Sequence, residues 1–180
     1  MLLVVDNGSI YTKQLTDFLT KKNISFEKYT PHVLELNSLQ KYESIILSGR
    51  RKNDKKINEV NSKIINFSIK NDKKLLGICY GAEILALTLG GTIRKSESIQ
   101  KGNETIEILK DNLIIKNPIN AFESHAFEIS KLPDMLTTIG KSNNCKYEII
   151  QHKDKLIFGT QFHPEMSLDG NNLIENFCSL

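Results

Sequence analysis

The 180-residue sequence contains few cysteines and few histidines, and neither type is clustered. Its three cysteines, Cys79, Cys145 and Cys178, are widely spaced and form no CxxC pair. This spacing argues against a disulfide scaffold and against a zinc site. The four histidines form no HExxH or His-x-His pattern, so no metal site is predicted. Since unpaired cysteines are typical of a reducing compartment, we expect a cytoplasmic protein.

Long apolar runs and a strong net charge are also missing. No unbroken apolar run approaches the roughly 20 residues that span a membrane. The first residues, MLLVVDNGSI, reach Asp6 too soon for a signal peptide. The formal net charge is only +3, because acidic residues match most of the basic ones along the same segments. Neither a membrane nor a nucleic acid is therefore expected as a partner.

The first half of the sequence alternates short apolar runs with helical stripes. Four short runs are predicted as strands, and three segments with apolar residues at helical spacing are predicted as helices. The strands are 2–5, 24–29, 44–47 and 74–78, and the helices are 10–22, 57–69 and 82–89. Strands separated by helices of this length predict a mostly parallel sheet with helices on both faces.

From Thr92 onward the pattern changes to short strands joined by tight turns. These strands are predicted at 104–109, 112–116, 119–123, 147–152 and 156–160, before a final helix at about 170–178. They predict a small antiparallel β portion beside the parallel sheet. Because no repeat or low-complexity linker interrupts the chain, we interpret residues 1–180 as one α/β domain.

The segment Gly77-Ile78-Cys79-Tyr80-Gly81 has the form of a nucleophile elbow, with the nucleophile on a tight strand-to-helix turn. Such a turn strains the backbone, and glycines two positions away let neighbouring chain pass closely. The N-terminus of the following helix would favour a thiolate at Cys79. The pattern therefore indicates a catalytic cysteine, although most lone cysteines are core residues.

A thiolate nucleophile needs a base, and the segment Gly159-Thr160-Gln161-Phe162-His163-Pro164-Glu165 offers one after a predicted strand. Open α/β sheets place their sites at such strand ends. In extended chain, residues two apart point the same way, so Glu165 could fix the tautomer of His163. The sequence predicts a Cys-His-Glu triad of Cys79, His163 and Glu165.

Two stretches, LLGICYGAEILALTLGG (75–91) and FGTQFHPEMS (158–167), resemble class I glutamine amidotransferases. Weaker similarities are ILSG (46–49), ESHAFEISKLP (123–133) and SNNCKYEIIQHKDKLIFG (142–159). The resemblance implies a flavodoxin-like α/β fold and hydrolysis of L-glutamine through a thioester on Cys79. Within this family, the sequence is most similar to the glutaminase portions of GMP synthases.

The resemblance also implies roles for residues outside the triad. The oxyanion hole would use the backbone N–H of Tyr80 and one from the loop containing Gly49 and Arg50. Glutamine would be held by Glu83 and by the segment containing Ser124, His125, Ala126 and Phe127. No cofactor is expected on this chain, because it contains no SGGxDS-type phosphate loop. ATP and Mg²⁺ are expected on a separate ATP-pyrophosphatase synthetase subunit that receives the ammonia, most simply to convert XMP to GMP.

Three positions depart from the usual pattern of the family. Gly49-Arg50-Arg51 stands where Gly-Gly-Pro is usual, Glu83 where glutamine is usual, and Phe127 where GMP synthases carry aspartate. These departures leave two alternatives open. One is an amidotransferase or γ-glutamyl hydrolase of another nitrogen pathway, and the other is a catalytically impaired regulatory relative.

Overall fold

The computed structural model describes residues 1–180 and contains one nine-stranded mixed sheet flanked by four α-helices. The strands are β1 (Leu2–Val5), β2 (Phe26–Tyr29), β3 (Ser44–Leu47), β4 (Lys74–Ile78), β5 (Thr92–Ile108), β6 (Ile119–Lys131), β7 (Leu136–Lys141), β8 (Ile149–His152) and β9 (Ile157–Thr160). The helices are α1 (Thr12–Lys21), α2 (Lys55–Lys70), α3 (Tyr80–Thr88) and α4 (Leu168–Ser179). The strand order is β2-β1-β3-β4-β9-β8-β7-β5-β6.

The first five strands in that order are parallel, and the remaining four join them through antiparallel pairs. This arrangement confirms the predicted mixed, mostly parallel α/β class with an antiparallel portion. None of the helices is both long and apolar enough to cross a membrane.

The core has two layers because the buried strands send alternate side chains to opposite faces of the sheet. Leu2 and Val4 of β1 lie in the cluster that contains residues of α1 and α4. Leu3 and Val5 lie in the other cluster, with residues of α2 and α3. Strands buried on both faces appear in the sequence as continuous apolar runs, which explains why the parallel half was predictable.

The antiparallel half differs from its prediction in three places. Strands β5 and β6 are far longer than predicted, and β7 has no predicted counterpart. The predicted strand at 112–116 is wrong. The Asn112 side chain there accepts hydrogen bonds from the backbone N–H groups of Ile114 and Ile115, which closes a turn. Those two isoleucines are buried as anchors of the loop, which is why the run looked like a strand.

The sheet brings two strand ends together at one edge. Strand β4 pairs with β9 in parallel, and Ile78 lies opposite Thr160. The segments that follow these two strands therefore emerge side by side. Strand β6 reaches the same edge, because the backbone N–H of His163 donates to the carbonyl of Phe122 over 2.9 Å.

Candidate active site

Cys79 lies directly after β4 with φ 50° and ψ −105°, a strained conformation for a non-glycine residue. A Cβ at Gly77 would lie 2.4 Å from the backbone of Gly81. A Cβ at Gly81 would lie 2.4 Å from the carbonyl oxygen of Leu47 in β3. Both glycines are therefore required by close backbone approach, as the elbow pattern predicted.

His163 and Glu165 follow β9 and are both buried. The Nδ1 atom of His163 lies 2.9 Å from Oε1 of Glu165 and forms a hydrogen bond with it. From the sequence, extended chain between His163 and Glu165 was predicted to allow this contact. Instead, Pro164 begins a short 3-10 turn, Pro164–Met166, and the turn brings the carboxylate back to the ring. The bond leaves Nε2 as the ring nitrogen free to exchange a proton with a substrate or a nucleophile.

The cysteine and the histidine are brought to one region of the surface. The backbone N–H of Cys79 donates to the carbonyl of Thr160 over 2.7 Å, three residues before His163. Cys79 lines a cavity of about 380 Å³, which we call the elbow cavity, and His163 lines a neighbouring one. The two cavities share Arg50, Arg51 and Ser124. The thiol and the imidazole are not hydrogen-bonded to each other, and such catalytic contacts often tighten only in the substrate complex.

The electrostatics of the thiol differ from the expectation for an elbow cysteine. Burial raises the pKa of Cys79 well above its ordinary value, and the charges of Glu83, Glu165 and Glu123 act in the same direction. The backbone N–H of Tyr80 lowers that pKa but does not outweigh them. The expected thiolate is therefore wrong for this state of the site. Proton removal must accompany attack, which makes a nearby base necessary.

The predicted oxyanion residues lie around the elbow. Tyr80 begins α3, and its N–H is directed at the sulfur of Cys79. Gly49 packs against the imidazole, since a Cβ there would lie 2.9 Å from Cε1 of His163. The guanidinium of Arg50 lies 3.8 Å from the ring centroid of Tyr80, a cation–π contact. The side chain of Arg50 thus holds the loop after β3 against the residue that follows the nucleophile.

The five predicted substrate-binding residues all line the elbow cavity: Glu83, Ser124, His125, Ala126 and Phe127. Burial raises the pKa of Glu83, while the hydrogen bond from Gln161 and the charge of Arg50 oppose that shift. Phe127 is 48% exposed and stands at the rim. A cavity lined by buried carboxylate, cationic and backbone groups suits a small zwitterion.

The sequence patterns missed three residues of this region. Tyr11, which lies in the helix predicted at 10–22, donates its hydroxyl hydrogen to Oγ of Ser124 over 3.1 Å. Its ring centroid lies 4.6 Å from that of His163. Gln161 donates to the carboxylate of Glu83 over 3.2 Å. Asn58 accepts the hydroxyl hydrogen of Tyr80 over 2.9 Å. Of the three, only Gln161 had a usable signal, its place two residues before His163.

No cluster of three or more His, Cys, Asp or Glu side chains is arranged to hold a metal ion. All three cysteines are free thiols. The groups that meet at the elbow are a thiol, an imidazole, carboxylates and backbone N–H groups.

Several known proteins are similar to this chain in sequence or in structure. One subunit of the glutamine-hydrolysing GMP synthase of Methanocaldococcus jannaschii is 31% identical, over 100% of this chain and 97% of that protein. The single-chain GMP synthase (glutamine-hydrolysing) of Macrococcus caseolyticus is 29% identical over 98% of this chain but only 35% of its own length. A solved protein from Thermoplasma acidophilum, described as a GMP synthase subunit, is 26% identical. It superposes with a TM-score of 0.87, covering 99% of this chain and 92% of that one.

The family described as glutamine amidotransferase class-I matches residues 3–179, nearly the whole chain. The match includes the elbow, the hairpin formed by β5 and β6, and the segment after β9. The chain therefore belongs to the class I glutamine amidotransferases.

Proposed function

We propose that this chain hydrolyses L-glutamine to L-glutamate and ammonia through a covalent thioester on Cys79. The ammonia is passed to a separate ATP-dependent synthetase subunit that converts XMP to GMP. The observation that carries the proposal is the strained elbow cysteine beside a hydrogen-bonded imidazole and carboxylate, at adjacent strand ends. Family membership and the relative from Methanocaldococcus jannaschii support the substrate and the acceptor.

The reaction begins when Sγ of Cys79 attacks the carboxamide carbon of glutamine while His163 takes the thiol proton. The negative charge that develops on the carboxamide oxygen is stabilised by the backbone N–H of Tyr80 and by one from the loop at Gly49 and Arg50. His163 then gives its proton to the leaving nitrogen, and ammonia departs. The product of this half-reaction is a γ-glutamyl thioester on the cysteine.

Water completes the cycle. His163 takes a proton from a water molecule, whose oxygen attacks the thioester carbon, and the thiolate of Cys79 leaves and is reprotonated. Glu165 accepts from Nδ1 of the imidazole, so it fixes the tautomer and stabilises the imidazolium formed in each half-reaction. The net change is glutamine plus water to glutamate plus ammonia.

The acceptor and the partner belong to the same proposal. The relative from Methanocaldococcus jannaschii is named as one subunit of its GMP synthase, and this name supports a hetero-oligomer in which another polypeptide carries ATP and Mg²⁺. The basic residues Arg51 and Lys52 line the mouth of the elbow cavity and would face that partner. Free thiols in the chain agree with a cytoplasmic site for this reaction.

The test measures ammonia release from glutamine, alone and with the synthetase subunit, ATP and XMP. Cys79→Ala should abolish release. Cys145→Ala is the matched control, since that thiol is also buried but lies outside the site. Ammonia release from Cys79→Ala at the wild-type rate would refute the thioester. Ammonia release that XMP does not accelerate, with no GMP formed, would refute the acceptor.

A regulatory glutamine-binding protein is the second candidate, and a specific observation favours it. The buried charge of Glu83 adds to the burial that raises the pKa of Cys79, which disfavours the reactive thiolate. Glutamine binding without ammonia release under every partner condition would select this candidate over the first.

A further inference from the structure

Two buried carboxylates outside the proposed triad lie directly behind the elbow cavity. Glu123 on β6 and Glu148, just before β8, are 4% and 1% exposed. Both oxygens of Glu123 and Oε2 of Glu148 lack an aligned hydrogen-bond partner. Buried carboxylates without such partners are costly unless a cation or a shared proton compensates them. The groups around Glu123 and Glu148 therefore determine which of the two carboxylates is ionised.

The ring of His125, which lines the cavity, is the group beside Glu123 that can carry a positive charge. Its Nδ1 atom lies 2.9 Å from the carbonyl oxygen of Phe127, and a carbonyl only accepts, so Nδ1 carries a hydrogen. Its Nε2 atom lies 2.9 Å from Oε2 of Glu123, off the ideal hydrogen-bond line but within ion-pair distance. Residues 123 and 125 share one face of β6, because they are two apart in a strand. An ionised Glu123 at this distance requires hydrogen on both ring nitrogens.

The second carboxylate explains which group is ionised. Burial and the neighbouring charge of Glu123 raise the pKa of Glu148 to about 9, although the Ser142 hydroxyl acts in the opposite direction. Neighbouring carboxylates in a buried site resist ionising together, so Glu148, whose pKa is raised to about 9, keeps its proton at neutral pH. Burial acts to lower the pKa of His125, but the ion pair with Glu123, the carbonyl of Phe127 and the charge of Glu83 together raise that pKa. The three groups together then carry no net charge.

We infer that Glu123, whose Oε2 lies 2.9 Å from Nε2 of His125, is a positioning residue that keeps this ring as an imidazolium in the wall of the elbow cavity. The inference rests on the proposed glutamine substrate, and it adds a charge to the pocket. The cavity then offers an anion at Glu83 and a cation at His125. A zwitterionic amino acid needs one group of each sign, so its α-ammonium lies toward Glu83 and its α-carboxylate toward the segment at His125.

Other ionisable groups around the pair do not change this assignment. Glu104 and Glu123 both raise the pKa of Glu148, which strengthens proton retention there. Glu128 on the same strand is neutralised by Arg94 at 2.7 Å. The charge of Glu83 raises the pKa of His125, as Glu123 does. The Cys145 thiol stays protonated, since burial raises its pKa.

The first test reads the ring of His125 directly by NMR in histidine-labelled protein, with the signal assigned from a His125→Asn variant. At neutral pH both ring nitrogens should be protonated in the wild type and in Glu148→Gln, because the amide replaces an uncharged acid. In Glu123→Gln the ring should be neutral. A neutral ring in the wild type, or a charged ring in Glu123→Gln, would overturn the inference. The wild-type measurement decides the question even if a variant fails to fold.

The second test measures glutamine binding by calorimetry in the Cys79→Ala background, where no turnover occurs. Glu123→Gln should weaken binding roughly 10-fold or more by removing the cation, Glu123→Asp should restore part of it, and Glu148→Gln should leave it within about threefold. Glu128→Gln is the matched control, a buried carboxylate on the same strand whose partner is Arg94. Equal losses for Glu123→Gln and Glu128→Gln would indicate a general folding effect and contradict the positioning role. Because both tests avoid catalysis, a failed glutaminase assay would refute only the proposed thioester chemistry.

Discussion

Replacing Glu148 with glutamine should stabilise the protein increasingly as the pH rises. The pKa of Glu148 is raised from 4.5 to about 9 in the folded chain, chiefly by burial and by Glu123. A raised carboxyl pKa favours folding fully below the unfolded value, and this stability is lost as the pH climbs toward the folded value. The glutamine variant has no proton to retain, so it escapes the loss.

The size of the effect follows from linkage. Each pH unit between the two pKa values costs the wild type about 1.4 kcal/mol of unfolding free energy relative to the variant. Between about pH 5.5 and about pH 7.5 the variant should therefore gain about 3 kcal/mol over the wild type. The gain should level off above about pH 9, where Glu148 is ionised in both folded and unfolded chains.

Urea denaturation at a series of pH values measures this difference without needing substrate or partner. Glu128→Gln serves as the control, because it removes a buried carboxylate that has a cationic partner, Arg94. It should lower stability without a comparable pH-dependent gain. A constant difference between wild type and Glu148→Gln across the same range would show that Glu148 ionises normally in the fold. The assignment of a retained proton to Glu148 would then be wrong.

Three further predictions concern the elbow itself. Glu83→Gln removes a negative charge one helical turn from Cys79, about 6 Å away, whose repulsion of a thiolate is worth up to ~3 kcal/mol. Alkylation of that thiol by iodoacetamide at neutral pH should therefore accelerate roughly 10- to 100-fold. An unchanged rate would contradict the assigned electrostatics. Gly81→Ala should cost about 3 kcal/mol in denaturation experiments, since its Cβ would meet a backbone carbonyl of β3 at 2.4 Å. Arg50→Ala frees the ring of Tyr80 and should lower kcat for ammonia release about 10-fold, with a smaller change in KM.

The parallel half of the fold was predictable because its strands are buried on both faces. Such strands appear as short apolar runs, and the helices between them carry regular apolar stripes. Strand β5 offered no such signal. Its sequence, TIRKSESIQKGNETIEI, is mostly polar because much of the strand is exposed, and its pairing with β6 is interrupted by a bulge between Lys95 and Gln100. Long exposed hairpins depend on partner strands that local patterns do not reveal.

The residues of the candidate site were also predictable only in part. Cys79, His163 and Glu165 lie in local motifs whose spacing carries chemical meaning, so the sequence alone could nominate them. The contact between Tyr11 and Ser124 joins residues 113 positions apart, and no local pattern announces it. The pairing of Glu123 with Glu148 likewise exists only after β6 and the segment before β8 are folded together. The raised pKa of Cys79 was missed because it depends on this burial and on charges from separate elements.

The single backbone bridge between Phe122 and His163 has a consequence for engineering this scaffold. Strand β6 of the β5–β6 hairpin supplies part of the wall of the elbow cavity, and the carbonyl of Phe122 on the same strand holds the backbone of His163. A hairpin transplanted from a relative to reshape that wall would therefore also shift His163. Any graft has to conserve that one carbonyl position.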